Sequence, residues 1–192
     1  MRIFVITGGI ASGKSTFVKK FKELYSHPVA SADEVANRIS QTCLFKLYLK
    51  VLCPQVLEDN QLNKRLLAKL IFENNYYRRL IELFIHPLVA ICMIWFVTRS
   101  WLMGQQVILL EIPLWFESRF WRLTRGNNIL MVCLKEERIN RVLFRDRISK
   151  EEALNIVNSQ LGDEFKIPFA DYIIDTSKNL DLKREIRRIV GE

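Results

Sequence analysis

The chain reads as an α/β protein built on a parallel sheet with crossover helices, and three observations predict it. Short apolar runs alternate with helical stripes along the 192 residues, as such a sheet requires. Two runs, VILLEI at 107–112 and NILMVCL at 128–134, are apolar throughout, the mark of strands covered on both faces. A glycine-rich turn, GGIASGKST at 8–16, joins the first run to the first helical stripe.

The elements follow in order. RIFVIT (2–7) is a short buried-type strand. Residues 14–25 place apolar side chains at 17, 18, 21, 24 and 25, one face of a helix. PVAS (28–31) supplies a second strand, and Asp33 stands at the head of the helical stretch after it. From 58 to 104 the pattern is helical with no strand evident, which predicts a helical insertion between the second and third strands. Insertions there cover the carboxyl ends of strands, where ligands bind in open α/β sheets. After the strands at 107–112 and 128–134, Ser149 and Glu152 form a capping box that starts a helix. DYIID (171–175) is the last strand, followed by a helix over 180–190. With no repeat or linker, the chain is expected to be one domain: a core of about 1–57 and 105–192 and an insertion of about 58–104.

Composition narrows the classes. At 49% hydrophobic residues the chain can bury a full-size core. Its cysteines (43, 53, 92 and 133) form no Cys-x-x-Cys pair, which argues against a zinc site or disulfide framework and fits a reducing compartment. The amino terminus runs straight into the first strand, leaving no room for a signal peptide, and the longest apolar run (88–97) is about half a membrane span. A cytoplasmic protein without a membrane partner is expected. The net charge of +8 and pI near 9.5 point to an anionic ligand. Without a Lys/Arg run or basic residues interleaved with aromatics, that ligand is not expected to be nucleic acid.

The glycine-rich turn defines the ligand. Gly8, Gly13, Lys14 and Ser15 fit the phosphate-loop spacing G-x-x-x-x-G-K-[ST]. Four such fixed positions recur by chance about once per hundred chains of this size, and here the turn also joins an apolar strand to an amphipathic helix. Glycines let the backbone wrap with its N–H groups aimed at phosphate oxygens, and the helix amino terminus adds positive potential. Lys14 is expected to reach the β- and γ-phosphates, and the Ser15 hydroxyl to ligate Mg²⁺. The whole loop, Gly8, Gly9, Ile10, Ala11, Ser12, Gly13, Lys14, Ser15 and Thr16, is the expected ATP site.

Phosphoryl transfer also needs a carboxylate near the acceptor and positive charge around the equatorial oxygens. Asp33 is placed for the first role, or else caps the helix after the second strand. Arg138, Arg141 and Arg145 recur on one helical face, and Arg141 and Arg145 are the expected phosphate ligands. Glu111 ends a buried strand where a Mg²⁺-linked carboxylate is usual, or forms a structural ion pair. Glu117 suits either a ligand or a surface ion pair. On residue type alone His86 and His27 read as packed histidines, and Phe84, Trp95, Phe96 and Trp101 as core aromatics.

With these residues in place, the chain resembles dephospho-coenzyme A kinases. TGGIASGKST is similar to the family's phosphate loop, SADEVA to its D-A-D-x-I-A segment, and IELFIHPLV to its I-x-H-P-x-V stretch. EIPLWFE resembles D-x-P-L-L-F-E, RINRVLFRDRISKEEALNIVNSQ the lid and the helix after it, and ADYIIDTS the segment A-D-Y-V-I-D-N-S. The resemblance implies a three-layer α/β/α fold with five parallel strands, a helical acceptor-binding insertion and a short lid at about 138–150. It implies transfer of the ATP γ-phosphoryl to the ribose 3′-hydroxyl of dephospho-coenzyme A. Asp33 would be the base, Lys14, Arg141 and Arg145 would neutralise the moving group, and Mg²⁺ would sit beside Ser15. His86, Pro113, Leu114 and Glu117 would face the acceptor, and Thr176 the adenine.

The chain departs from that pattern at several positions. Ser31 replaces the first Asp of D-A-D, Glu111 the strand-end Asp, and Asn63 and Lys64 an Asp–Arg pair. Thr176 replaces the adenine-side Asn. Ala11 replaces the middle glycine and so calls for a backbone with no positive φ there. Two other readings are a nucleotide-binding regulator without turnover and a related kinase acting on a nucleoside monophosphate.

Overall fold

A computed structural model describes residues 1–58, 61–113, 115–116, 126–178 and 180–191. Five parallel strands form the main sheet: β1 (Arg2–Gly8), β2 (Val29–Ser31), β5 (Val107–Glu111), β6 (Asn128–Val132) and β7 (Tyr172–Asp175), in the order β2-β5-β1-β6-β7. All five coincide within a residue or two with the expected strands. Both faces of the central strands are covered: Phe4 and Ile6 alternate with Val5 and Thr7 along β1, and all four are buried. This is why the runs show no polar alternation. One face packs on α1 (Lys14–Leu24) and α9 (Leu182–Val190) through Phe17, Phe21, Ile186 and Ile189. Each such fully buried side chain contributes roughly 1.5–3 kcal/mol of transfer free energy. His27 stacks on Tyr25 with ring centroids 5.4 Å apart, the packing role expected of it.

The register sets the carboxyl edge. Ser31 of β2 pairs with Glu111 of β5, Ile6 of β1 with the same Glu111, Gly8 with Met131 of β6, and Val132 with Asp175 of β7. After β6 come α6 (Lys135–Asp146), α7 (Lys150–Asn158) and the short α8 (Asp163–Lys166). The α6 and α7 helices share a small apolar cluster of Ile139, Val142, Ala153 and Val157. The capping box at the head of α7 is present in both directions, Ser149 Oγ accepting from the Glu152 amide and the Glu152 carboxylate accepting from the Ser149 amide.

The chain divides into two compact units, one of Met1–Ser31 with Ser100–Glu192, the other Ala32–Arg99. The second begins well before the expected boundary near 58. It takes in α2 (Ala32–Ser40) and α3 (Cys43–Leu52), because Phe45 and Leu49 of α3 belong to a separate core with Cys53, Val56 and Ile81. Within it, Tyr48 stacks on Phe84 at 4.3 Å and donates to the Leu80 carbonyl at 2.9 Å. Burial pushes the Cys53 thiol above its ordinary pKa.

Three expectations for this region need correction. It is not wholly helical: β3 (Leu57–Glu58) and β4 (Gln61–Leu62) pair antiparallel before α4 (Lys64–Glu73). Two-residue strands are too short to show a period. Trp95 and Trp101 are not core residues but are 61% and 64% exposed, whereas Phe84 is packed. Both tryptophans stand on α5 (Asn75–Leu102), 28 residues long, turned from the face on which Met93 and Ser100 are buried. Finally, His86 is exposed on α5 rather than packed. By length and composition α5 would also suffice to cross a bilayer, with 11% of its most apolar stretch buried. The ten-residue run at 88–97 is thus only part of a longer apolar helix.

Candidate active site

The phosphate loop sits between β1 and α1, and its glycines are forced by space. Gly8 has φ +146°, and a Cβ on it would lie 2.4 Å from the Met131 carbonyl oxygen of β6. Only a residue without a side chain brings the loop that close to the sheet. Gly13 starts α1 with no side-chain cap, and the first turn of α1 carries no acidic residue. The first amides of α1 therefore keep their hydrogen-bonding capacity and the positive end of the helix dipole, as an anion site needs. The Lys14 ammonium donates to the carbonyls of Gly8 at 2.8 Å and Gly9 at 2.7 Å. Its flexible stem can trade those two carbonyls for phosphate oxygens.

Ala11 overturns the conformation expected for it. Its φ is +57°, in the left-handed region. Contacts of Ala11 with Arg141 and with the α6 and α7 cluster accompany this turn, and alanine tolerates it at a cost of about 1–2 kcal/mol. Part of that is offset, because Ile10 and Ala11 pack against the apolar cluster of α6 and α7.

The three arginines of α6 share a face but not a fate. Arg138 is 5% exposed, and its Nε donates to the Ile10 carbonyl at 3.0 Å. Arg141 donates from Nη1 to the Ala11 carbonyl at 3.1 Å and to Thr176 Oγ1 at 3.2 Å. Its Nη2 reaches the Thr176 carbonyl and the Glu137 carboxylate, at 3.1 and 3.0 Å. Arg145, about 10 Å farther along the helix axis than Arg138, forks onto Asp146 at 2.7 and 2.8 Å. That pairing holds the Asp146 carboxyl below its ordinary pKa and the Arg145 guanidinium above its own. The structure thus brings Arg141 to the loop and sets Arg145 on its neighbour. Sequence reasoning placed Arg138 on the right face but assigned it no role; its burial is a tertiary fact.

Thr176, just past β7, is also turned toward the loop. Its hydroxyl lies 3.0 Å from the Ser12 carbonyl and 3.3 Å from that of Val132, and its amide donates to Val132 as well. Its polar groups are engaged within the protein, so the side chain shapes the loop. Gln160, which ends the lid-and-helix segment of the sequence with no role expected of it there, accepts a hydrogen bond from the Ile10 amide at 2.7 Å. Asp163 lies 3.8 Å from Arg138; burial raises its pKa, and the guanidinium opposes that shift. A cavity of about 510 Å³ opens beside this group, lined by Lys135, Arg138, Gln160, Asp163, Asp175 and Ser177 among others.

The remaining expected residues divide between the units. In the sheet unit, Glu111 is half-buried at the end of β5, and the Pro113 carbonyl accepts from the buried Thr7 hydroxyl at 2.9 Å. Leu114 and Glu117 lie outside the described residues. In the unit Ala32–Arg99, Asp33 is exposed in the first turn of α2, inside the helix rather than at a cap before it. Asn63 caps α4, accepting from the amides of Arg65 and Leu66 at 3.1 Å, so its amide side chain has a structural task.

Known proteins resemble this chain in sequence and fold. The family model for dephospho-CoA kinase matches residues 2–181. A dephospho-CoA kinase of Prochlorococcus marinus subsp. pastoris is 36% identical over 96% of this chain and 93% of its own length. One from Oryza sativa subsp. japonica is 34% identical over 96% of this chain and 81% of its own. Among solved structures, dephospho-CoA kinase from Campylobacter jejuni superposes with a TM-score of 0.72 at 26% identity, covering 100% of this chain and 97% of that one.

Proposed function

The chain belongs to the dephospho-CoA kinase family, and on that premise we propose that it transfers the γ-phosphoryl of ATP to the ribose 3′-hydroxyl of its acceptor. It is a phosphotransferase acting on an alcohol group, and its reaction, ATP-dependent phosphorylation of dephospho-CoA, belongs to coenzyme A biosynthesis. One observation carries the mechanism. The loop is held in an anion-binding shape by Gly8 against β6, Gly13 at the uncapped head of α1 and Arg141 on the Ala11 carbonyl. A site whose donors are already aimed stabilises developing charge without reorganising at the moment of reaction.

In this reading Asp33 takes the proton of the acceptor hydroxyl as its oxygen bonds to the γ-phosphorus. The bond from phosphorus to the bridging oxygen breaks, and its electrons stay on ADP. Lys14 and Arg141 spread charge over the equatorial oxygens, and Arg145 joins them by exchanging Asp146 for phosphate. Exposed His86 and the segment containing Pro113, Leu114 and Glu117 would contact the acceptor. Thr176 acts on the adenine side through the loop it shapes.

Mg²⁺ fits the oxygen donors present, the Ser15 hydroxyl at the head of α1 and the Glu111 carboxylate at the end of β5. A nucleotide-bound Mg²⁺ needs one or two protein oxygens beside phosphate and water, not a cage of carboxylates. Such an ion supplies charge neutralisation on the β- and γ-phosphates. The four cysteines are all free, in keeping with a cytoplasmic location. Neither nucleic acid nor a membrane enters this reading.

The test is a coupled assay of ADP release with dephospho-CoA and with nucleoside monophosphates as competing acceptors, followed by mapping of the phosphorylated position. Turnover confined to dephospho-CoA with phosphate on the 3′-oxygen is expected. Preference for a nucleoside monophosphate, or ATP binding without transfer, would overturn it.

A further inference from the structure

We propose that Gln160 is a positioning residue for this reaction: together with Arg138 it fixes the apex of the phosphate loop and so sets the affinity for ATP. The contacts form a closed ring around one peptide unit. Gln160 Oε1 accepts from the Ile10 amide at 2.7 Å and from Arg138 Nη2 at 3.1 Å, while Arg138 Nε donates to the Ile10 carbonyl at 3.0 Å. Both the amide and the carbonyl of Ile10 are thereby tied to side chains of distant elements.

The cost of this arrangement points to a purpose. A guanidinium 5% exposed, with its carboxylate partner as far as 3.8 Å away, is an expensive group to bury. Its fork also occupies the space above Gly9, where a Cβ would lie 2.1 Å from Nη2. A side chain at the second glycine of the loop would thus displace the guanidinium. On the apolar side, Ile10 and Ala11 pack on Ile139, Val142, Ala153 and Val157. Polar and apolar anchors therefore converge on residues 9–11, immediately before the amides expected to face phosphate. Because the Ile10 amide is taken by Gln160, that amide acts by holding the loop, not by touching ATP. Restricting the loop before binding removes an ordering cost that ATP would otherwise meet.

The role rests on the kinase reading but is read out by ATP alone. Gln160→Met keeps the length and removes the acceptor; Gln160→Glu keeps an acceptor for both donors. Gln160→Met is expected to raise KM and the equilibrium Kd for ATP about tenfold, the scale of one lost hydrogen bond to a charged donor. KM for dephospho-CoA should stay within about twofold of the parent, and Gln160→Glu should recover most of the loss. Arg138→Lys, which retains the buried charge but loses the fork, should give the same ATP-selective defect should the methionine variant fold poorly. Parent-like ATP affinity in Gln160→Met and Arg138→Lys, or equal loss toward both substrates, would reduce the ring to a structural contact. The ATP titration stays readable in a protein that turns over no acceptor, so failure of the kinase reading is distinguishable.

Discussion

In the unit of Met1–Ser31 and Ser100–Glu192, groups expected to handle ATP are held by partners far away in sequence. Arg141 reaches across 130 residues to the Ala11 carbonyl, and Thr176 across 164 to that of Ser12. In the unit Ala32–Arg99, the expected acceptor residues stand on helix surfaces. Asp33 is exposed on α2, a helix that buries none of its residues, and His86 is exposed on α5. The difference fits the chemistry of the two substrates. A triphosphate is gripped by a backbone nest whose shape must be fixed in advance. In the proposed reading an acceptor is met by side chains on helix surfaces of a unit with its own small core.

The sharpest way to break this comparison is to damage that small core. Phe45→Ala removes a fully buried ring and should destabilise by about 3–5 kcal/mol. Turnover of dephospho-CoA should fall with the loss, while ATP affinity measured by titration should persist. Parallel loss of ATP affinity would mean the two units do not keep separate stabilities. Next, Asp33→Asn should lower kcat by about two powers of ten or more, the scale of general base catalysis, with ATP affinity unchanged. A variant with parent-like turnover would leave Asp33 as an ordinary first-turn residue of α2.

Arg141→Lys sharpens the donor side. A single ammonium cannot reproduce contacts to the Ala11 carbonyl, Thr176 and Glu137 together, and ATP affinity should fall roughly tenfold. Ala11→Gly works in the opposite direction: relieving a left-handed alanine should raise stability by up to about 1 kcal/mol in a thermal melt. Destabilisation would instead show that the methyl group's packing on α6 and α7 outweighs the backbone strain.

The smallest effect concerns pH. Hydrogen bonds from Ser177, and then Lys178, hold the Asp175 carboxyl below its ordinary pKa. A carboxyl depressed in the folded state contributes stability above its unfolded pKa of about 4 and loses it as pH falls through the folded value. Melting temperatures of Asp175→Asn and the parent should therefore converge on acidification below about pH 4. A constant gap between them down to pH 2 would remove Asp175 as the source.

What could be read without coordinates was what short stretches encode. The strands at 2–7, 107–112 and 128–134 declare themselves by unbroken apolar runs, the loop at 8–16 by its glycine and lysine spacing, and α7 by the Ser149–Glu152 box. Each depends on neighbours within a few residues, so the chain itself determines it. The positive φ of Ala11, the burial of Arg138 beside exposed Arg145, the ring through Gln160, and the bare tryptophans of α5 were decided by the tertiary structure alone. They turn on which surfaces meet across 100 residues or more, and on which face of a long apolar helix stays uncovered. Local periodicity records where a helix is apolar; it holds no information on which of its apolar faces a neighbour covers.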